Sequence, residues 1–342
     1  MSDTSSVDRI QRGNELERCP FPIPFGWYMV ELSEDLKPGE IKNIQAFDQE
    51  WVMFRGEDGS VGMTDPYCPH LGAHLGKGGT VEGNNIRCPF HHWEYDAEGW
   101  CKKIPYGKVM PGIARRKPIL RALPIQEKYG MIWCWYHPQE VEPLFDLPVV
   151  DEFERPEDYV PVRHGDWTMH TCMQEIGENG VDFAHLKFLH GSPMIPPGSC
   201  SVDGYNFGFD IGEGYIIGQN YGVGVQVVRH NKDGVSMLMF STPLPITREE
   251  TRSRMHFTFQ DYEAGSKERE LAEHLYQHSI GEADGEDSAG FESVDMIIWD
   301  NKKYRPEPLL CDGDGPILKW RQWYSQFYVD DQPEQVQAVA AE

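Results

Sequence analysis

Two short loops spanning 24 positions limit what this chain can fold into more than any other feature. They are Cys68-x-His70 and, after seventeen intervening residues, Cys88-x-x-His91. Each sets one thiol and one imidazole beside turn residues, Pro69 and Gly72 in the first and Pro89 in the second, so each reads as a tight loop offering one of each group. The surrounding sequence has a matching texture. From Phe25 to about Pro138 it carries short β-type runs (Trp27 to Val30, Trp51 to Arg55, Met131 to Tyr136) punctuated by Gly, Pro and Asp, with no helical period. That pattern predicts a small all-β domain over residues 25–138.

A Pro- and acid-rich connection, Pro138 to Pro161, leads to a second region, 139–330, of mixed type. Met173 to Leu189 has helical spacing. Val223 to Arg229, Met237 to Ser241 and Arg254 to Phe259 read as strands. Lys267 to Ser279 and Phe291 to Tyr304 read as helices around an acidic loop, Gly281 to Gly290. An α+β fold follows, with an antiparallel sheet and packed helices behind the all-β domain. Residues 1–24 read as a loose lead-in and 331–342 as a frayed acidic tail. There is no internal repeat and no Walker A motif, and Gly212, Gly214 and Gly218 are misspaced for a dinucleotide fingerprint.

Composition excludes several classes. With 31 Lys plus Arg against 55 Asp plus Glu, the charge of −24 argues against nucleic acid, whose phosphates would be repelled. The longest apolar run, Met131 to Tyr136, is far short of the ~20 residues of a membrane span. The polar N-terminus shows no legible address, so the expected location is cytoplasmic. In that reducing compartment the eight cysteines point to metal binding or burial before disulfides.

The paired loops then admit two metal readings. A structural zinc site could use Cys₂His₂, but zinc ligands usually pair Cys with Cys and His with His, and such a protein would be a zinc-stabilised binding module. A Rieske [2Fe–2S] centre needs mixed pairing, because two cysteines hold one iron and two histidines the other. The favoured reading is the cluster, on Cys68, His70, Cys88 and His91. His74 and His92 lack the repeated offset and read as hydrogen-bonding or surface residues.

A cluster of this kind moves single electrons, and EIGENGVDFAHLKFLHGSP supplies a destination. On one helix Glu178, Asp182 and His185 share a face. Gly191 and Pro193 end that helix, so His190 can turn back toward His185. Two such histidines plus a carboxylate make the facial triad of non-haem Fe(II) oxygenases. The carboxylate has no local motif; the candidates are Asp284, Asp287, Asp295, Asp300, Asp312 and Asp314. Asp295 is favoured because it falls with Phe291, Val294 and Ile298 on an apolar stripe, where an unpaired carboxylate would cost several kcal/mol.

With CPHLGAHLG, CPFHHWEYD and LLCDGDGPILKWRQWYSQFY, the chain resembles the oxygenase (α) subunits of Rieske non-haem iron oxygenases from about Phe25 to Tyr328. Within them it looks like the branch of 3-ketosteroid 9α-hydroxylases and cholesterol 7-desaturases. The resemblance implies a helix-grip-like catalytic domain and a head-to-tail homotrimer. It also implies that Asp182 bridges His91 of a neighbouring subunit to His185 as the electron-transfer residue, with Asp295 the carboxylate ligand. The implied activity is O₂-dependent hydroxylation of a C–H bond in a hydrophobic, steroid- or sterol-like substrate. Desaturation, demethylation and aromatic cis-dihydroxylation are the alternatives. Pro193 to Gln260, where the substrate pocket is expected, shows no equally clear match. No flavin or nicotinamide site is evident, so a ferredoxin or flavin reductase is the expected electron donor. Between His70 and Arg121, nine Lys or Arg against four acids give a local +5 that would steer an acidic donor.

Overall fold

The computed structural model describes residues 12–280 and 291–329. Its N-terminal half contains ten strands: β1 (Gly26–Leu32), β2 (Ile41–Ala46), β3 (Gln49–Arg55), β4 (Val61–Thr64), β5 (Thr80–Glu82), β6 (Asn85–Arg87), β7 (Glu94–Tyr95), β8 (Cys101–Lys103), β9 (Ile125–Lys128) and β10 (Met131–Tyr136). They form three small sheets, ordered β1-β10-β9, β2-β3-β4 and β5-β6-β7-β8. All of β10 is buried, and it lies between two antiparallel partners, as a continuous apolar run demands. The Cys68–His70 loop joins β4 to β5, and the Cys88–His91 loop joins β6 to β7.

The C-terminal half is one seven-stranded antiparallel sheet. Its strands are β11 (Arg163–Met169), β12 (Gly198–Asp203), β13 (Asn206–Ile211), β14 (Ile216–Tyr221), β15 (Gln226–Lys232), β16 (Val235–Pro245) and β17 (Thr251–Phe259). β12 to β17 form successive hairpins, and β11 closes the edge against β17. The helices are α1 (Asp151–Glu154), α2 (Met173–Glu178), α3 (Phe183–Phe188), α4 (Lys267–Ile280), α5 (Phe291–Asn301) and α6 (Ile317–Tyr324). The fold is thus α+β, with the β domain first. The halves share one core: Trp133 meets Phe240 edge-on at 6.0 Å, and Phe25 packs on Phe327 at 5.3 Å. No helix among the described residues is long and apolar enough to cross a membrane.

Two expectations need correction. The lead-in is not loose to residue 24, because Leu16, Cys19, Phe21 and Ile23 are buried, and Phe21 stacks on Tyr328 at 5.0 Å. The helix read over Met173 to Leu189 is two helices separated by a 3-10 turn, Asn179–Val181. Helix α6 has no counterpart in the sequence reading. The expected tail and the loop Gly281 to Gly290, with Asp284 and Asp287, lie outside the described residues.

Candidate metal centres

The two cysteine loops have the same backbone frame. In the first, Cys68 N–H donates to the Ala73 carbonyl and Gly72 N–H to the Cys68 carbonyl, at 2.9 and 2.8 Å. In the second, Cys88 N–H donates to Trp93 and His92 N–H to Cys88, at 2.8 and 3.1 Å. The fourth residue after each cysteine is left-handed, Gly72 at φ 77° and His92 at φ 58°. His92 therefore fills the backbone position that glycine fills in the other loop. His74 accepts from Gly76 N–H at 3.1 Å, a local hydrogen bond within its own turn.

The two loops bring together the groups named from sequence. Cys68 and Cys88 are buried, and the His70 and His91 rings lie 4.8 Å apart, with His70 stacked on Trp93 at 4.6 Å. Burial pushes the Cys68 thiol up, and the adjacent Cys88 thiol adds to that, so paired thiolates here call for a cation. The Tyr95 hydroxyl sits 3.1 Å from Cys68 Sγ. His91 Nδ1 is buried without a hydrogen-bond partner, as a nitrogen reserved for a metal would be. The donor set fits a body with two metals, thiols at one end and imidazoles at the other.

Among the described residues, one trio of His, Cys, Asp or Glu has ligand atoms all within 4.8 Å of one another: His185, His190 and Asp295. The chain positions each for a local reason. Gly191, at φ 73°, ends α3 while Ser192 N–H closes onto the Leu186 carbonyl, and this turn swings His190 back until its ring is 5.2 Å from that of His185. Asp295 comes from α5 and is 4% exposed, with Oδ2 3.0 Å from His190 Nε2. Its Oδ1 accepts a 2.9 Å hydrogen bond from Asn179 Nδ2, in the turn between α2 and α3. His185 Nδ1 contacts the Asp182 carbonyl, which leaves Nε2 as the ligand atom. Two histidines and a buried carboxylate at this range suit Fe(II).

The other acids lie elsewhere. Asp300 accepts from His170 N–H at 2.8 Å, and Asp314 closes a turn with Cys311 that also contains Asp312. Glu178 does not share a helical face with His185. It forms a bidentate ion pair with Arg321 of α6, at 2.7 and 2.9 Å. Asp182 caps α3, its carboxylate accepting from His185 N–H at 3.3 Å. Sequence reasoning missed Asn179, whose side chain sits one residue beyond Glu178 in a segment taken for continuous helix. Phe183 of α3 packs with Phe209, Ile211 and Val228 of the sheet in a buried cluster.

Residues 26–114 match the Rieske [2Fe-2S] domain family, and residues 134–197 and 212–328 match the 3-Ketosteroid 9alpha-hydroxylase C-terminal domain. Cholesterol 7-desaturase of Caenorhabditis elegans is 31% identical over 96% of this chain and 82% of its own. The 3-ketosteroid-9-alpha-monooxygenase oxygenase component of Rhodococcus rhodochrous is 28% identical over 89% of this chain and 84% of its own. Among solved structures, NdmA of Pseudomonas putida CBB5 has a TM-score of 0.66 at 18% identity, covering 87% of this chain and 88% of that one. Dicamba monooxygenase bound to dicamba scores 0.64 at 15% identity, covering 93% and 98%.

Proposed function

Because the chain belongs to the Rieske non-haem iron oxygenases, in the branch with the 3-ketosteroid 9α-hydroxylase C-terminal domain, we propose that it oxidises a C–H bond of a steroid- or sterol-like substrate in the cytoplasm. It is an O₂-dependent oxidoreductase, an oxygenase component working with a separate electron donor. In this reading Cys68, His70, Cys88 and His91 hold the [2Fe–2S] cluster, and His185, His190 and Asp295 hold the mononuclear iron. The cluster supplies electrons singly, and the iron supplies a site where O₂ meets the substrate C–H bond.

The observation that carries the reading is the 4.8 Å trio of two histidines and one buried carboxylate. The Asp182 carbonyl orients the His185 ring, and Asn179 occupies Asp295 Oδ1 and turns Oδ2 toward His190. Phe183, Phe209, Ile211 and Val228 form a buried apolar cluster that anchors α3, the helix carrying His185, against the sheet. Mono-oxygenation and desaturation both fit this arrangement, and relatives of both kinds match nearly the whole chain.

The assembly proposed is a head-to-tail homotrimer in which Asp182 faces His91 of the next subunit. Both centres border exposed apolar side chains: Leu71 and Phe90 (64% and 60% exposed) by the cysteine loops, Phe188 and Met194 (76% and 61%) by the His pair. Burying both rims in one contact would satisfy them together. The donor proposed is an acidic ferredoxin or a flavin reductase docking near the cysteine loops.

The test is a product screen with a matched reductase against 3-ketosteroids, sterols and aromatics, run beside iron analysis. We expect about three irons per chain, and a steroid or sterol product that has gained one oxygen or lost two hydrogens. Stoichiometric zinc, or a cis-diol from an aromatic with no steroid product, would overturn the proposal.

A further inference from the structure

The geometry points to the N-terminal segment, through Arg18, as the positioning element for the helix that carries Asp295. The inference rests on the reading of Asp295 as a metal ligand and extends it to residues far away in the chain.

Helix α5 has 11 residues, below the ~12–15 at which an isolated helix becomes even marginally stable. Of its eight described side chains, two are buried. Asp295 and Trp299 are buried one turn apart, while Ile297 and Ile298 are 61% and 48% exposed. Its C-terminal end is held differently. The last four carbonyls of a helix have no partner within it, and three of those in α5, Ile298 to Asp300, find one. Ile297 accepts from Asn301 Nδ2 at 2.8 Å, and Ile298 from Lys302 N–H at 2.9 Å. Trp299 and Asp300 both accept from Arg18 Nη2, at 3.2 and 2.6 Å. A guanidinium more than 280 residues away therefore caps α5, where its charge also opposes the helix dipole.

The same segment grips the chain just beyond. Leu16 carbonyl accepts from Lys303 Nζ at 3.1 Å, and Arg18 carbonyl from Tyr304 N–H at 3.2 Å. Phe21 meets the Tyr304 ring edge-on at 4.5 Å. Asp295 lies little more than one turn before the capped carbonyls. A shift of the helix end is thus a shift of the carboxylate relative to His185 and His190, which belong to a different element.

The experiment uses the purified holoprotein, stripped of mononuclear iron by a chelator and retitrated anaerobically with Fe(II), with the cluster absorbance as internal reference. Arg18→Gln should weaken Fe(II) binding about tenfold, the lower end of the range for groups that orient a metal ligand, and leave the cluster spectrum intact. Arg18→Lys, which keeps the charge and one donor, should recover most of the affinity. Arg229→Gln is the control. It removes a bidentate pair with Glu152 (2.7 and 2.7 Å) and should lower thermal stability without changing Fe(II) affinity. Asp295→Ala separates the two readings. If it loses Fe(II) while Arg18→Gln binds like wild type, the positioning role is wrong and the ligand stands. If Asp295→Ala itself binds like wild type, the ligand assignment fails and the positioning role with it. An equal loss in Arg229→Gln would reduce the Arg18 effect to general destabilisation and overturn the proposal.

Discussion

Asp182 uses two different atoms on the same neighbour. Its carbonyl orients the His185 ring, and its carboxylate caps α3 by accepting from His185 N–H. A cap requires only a short side chain with an acceptor oxygen, and Asn serves as well as Asp. Asp182→Asn should therefore keep the wild-type melting temperature and full mononuclear iron. If the carboxylate also links His185 to an imidazole of the next subunit, the loss of charge weakens those hydrogen bonds. Single-turnover product yield from chemically pre-reduced protein should then fall while the metals stay. A wild-type yield would reduce Asp182 to a helix cap. The ligands themselves allow a coarser separation. His185→Ala should abolish turnover and retain the cluster absorbance, and Cys88→Ala should remove the colour, because the cluster set lies in loops of the N-terminal β domain and the iron set on α3, the turn after it and α5. Visible spectra and iron counts of the two variants check this, and bleaching in His185→Ala would mean that the centres are not independent.

The elements most legible in sequence are those whose environment is uniform along their length. Met131 to Tyr136 is a strand over the residues its apolar run marks, since a central strand buried on both faces leaves no room for a polar interruption. The return of His190 was legible too, because Gly191 supplies the left-handed turn locally. Asp295 was found through a stripe that is not the buried face: Ile298 is exposed, and the residue buried with Asp295 is Trp299. What supports the choice in the structure is burial itself, since a carboxylate is costly to bury whichever apolar neighbours share its face. The break between α2 and α3 was not legible, because its causes are distant in sequence. Trp320 lies over Gly177 so closely that a Cβ there would sit 2.4 Å from the ring. At Gly315 a Cβ would fall 1.6 Å from the Val181 carbonyl, beside the turn that places Asn179 and Asp182. Gly315→Ala cannot be absorbed by a side-chain rotation, since the obstacle is backbone. It should cost about 1–3 kcal/mol, the usual range for overpacking, and lower mononuclear iron occupancy. Chemical denaturation and iron analysis measure both, and an unchanged midpoint with full iron would show that the turn yields more readily than its packing suggests.

Across the whole molecule a charge of −24 repels an acidic donor, so any attraction must come from a local reversal. The +5 read between His70 and Arg121 is not evenly available. Arg87 is paired with Glu82, Lys102 with Asp96, Lys103 with Glu94 and Arg121 with Glu140. Lys108, Arg115, Arg116 and Lys117 are exposed, and no ion pair to them is seen among the described residues. They lie near Tyr106, Val109 and Ile113, which are 59%, 74% and 50% exposed, so charge and apolar surface are adjacent on one stretch of chain. Such a surface suits a transient partner that is steered by charge and held by apolar contact. Lys102 and Lys103 already face acids of their own, so reversing them should matter less than reversing Arg115 to Lys117. The triple variant Arg115→Glu, Arg116→Glu, Lys117→Glu should slow reductase-driven reduction of the cluster about tenfold at low ionic strength, within the range by which steering raises association rates. At an ionic strength of 0.1 M the Debye length is about 10 Å, so wild-type reduction should slow as salt is raised. The variant's rate should rise or stay flat. Reduction by dithionite, a small reductant that needs no protein docking, should be equal in both, as should steroid affinity. Stopped-flow absorbance of the cluster across a salt series reads all of this. Matching rates and salt slopes in variant and wild type would remove Arg115–Lys117 from the docking surface and leave them as solvated charge.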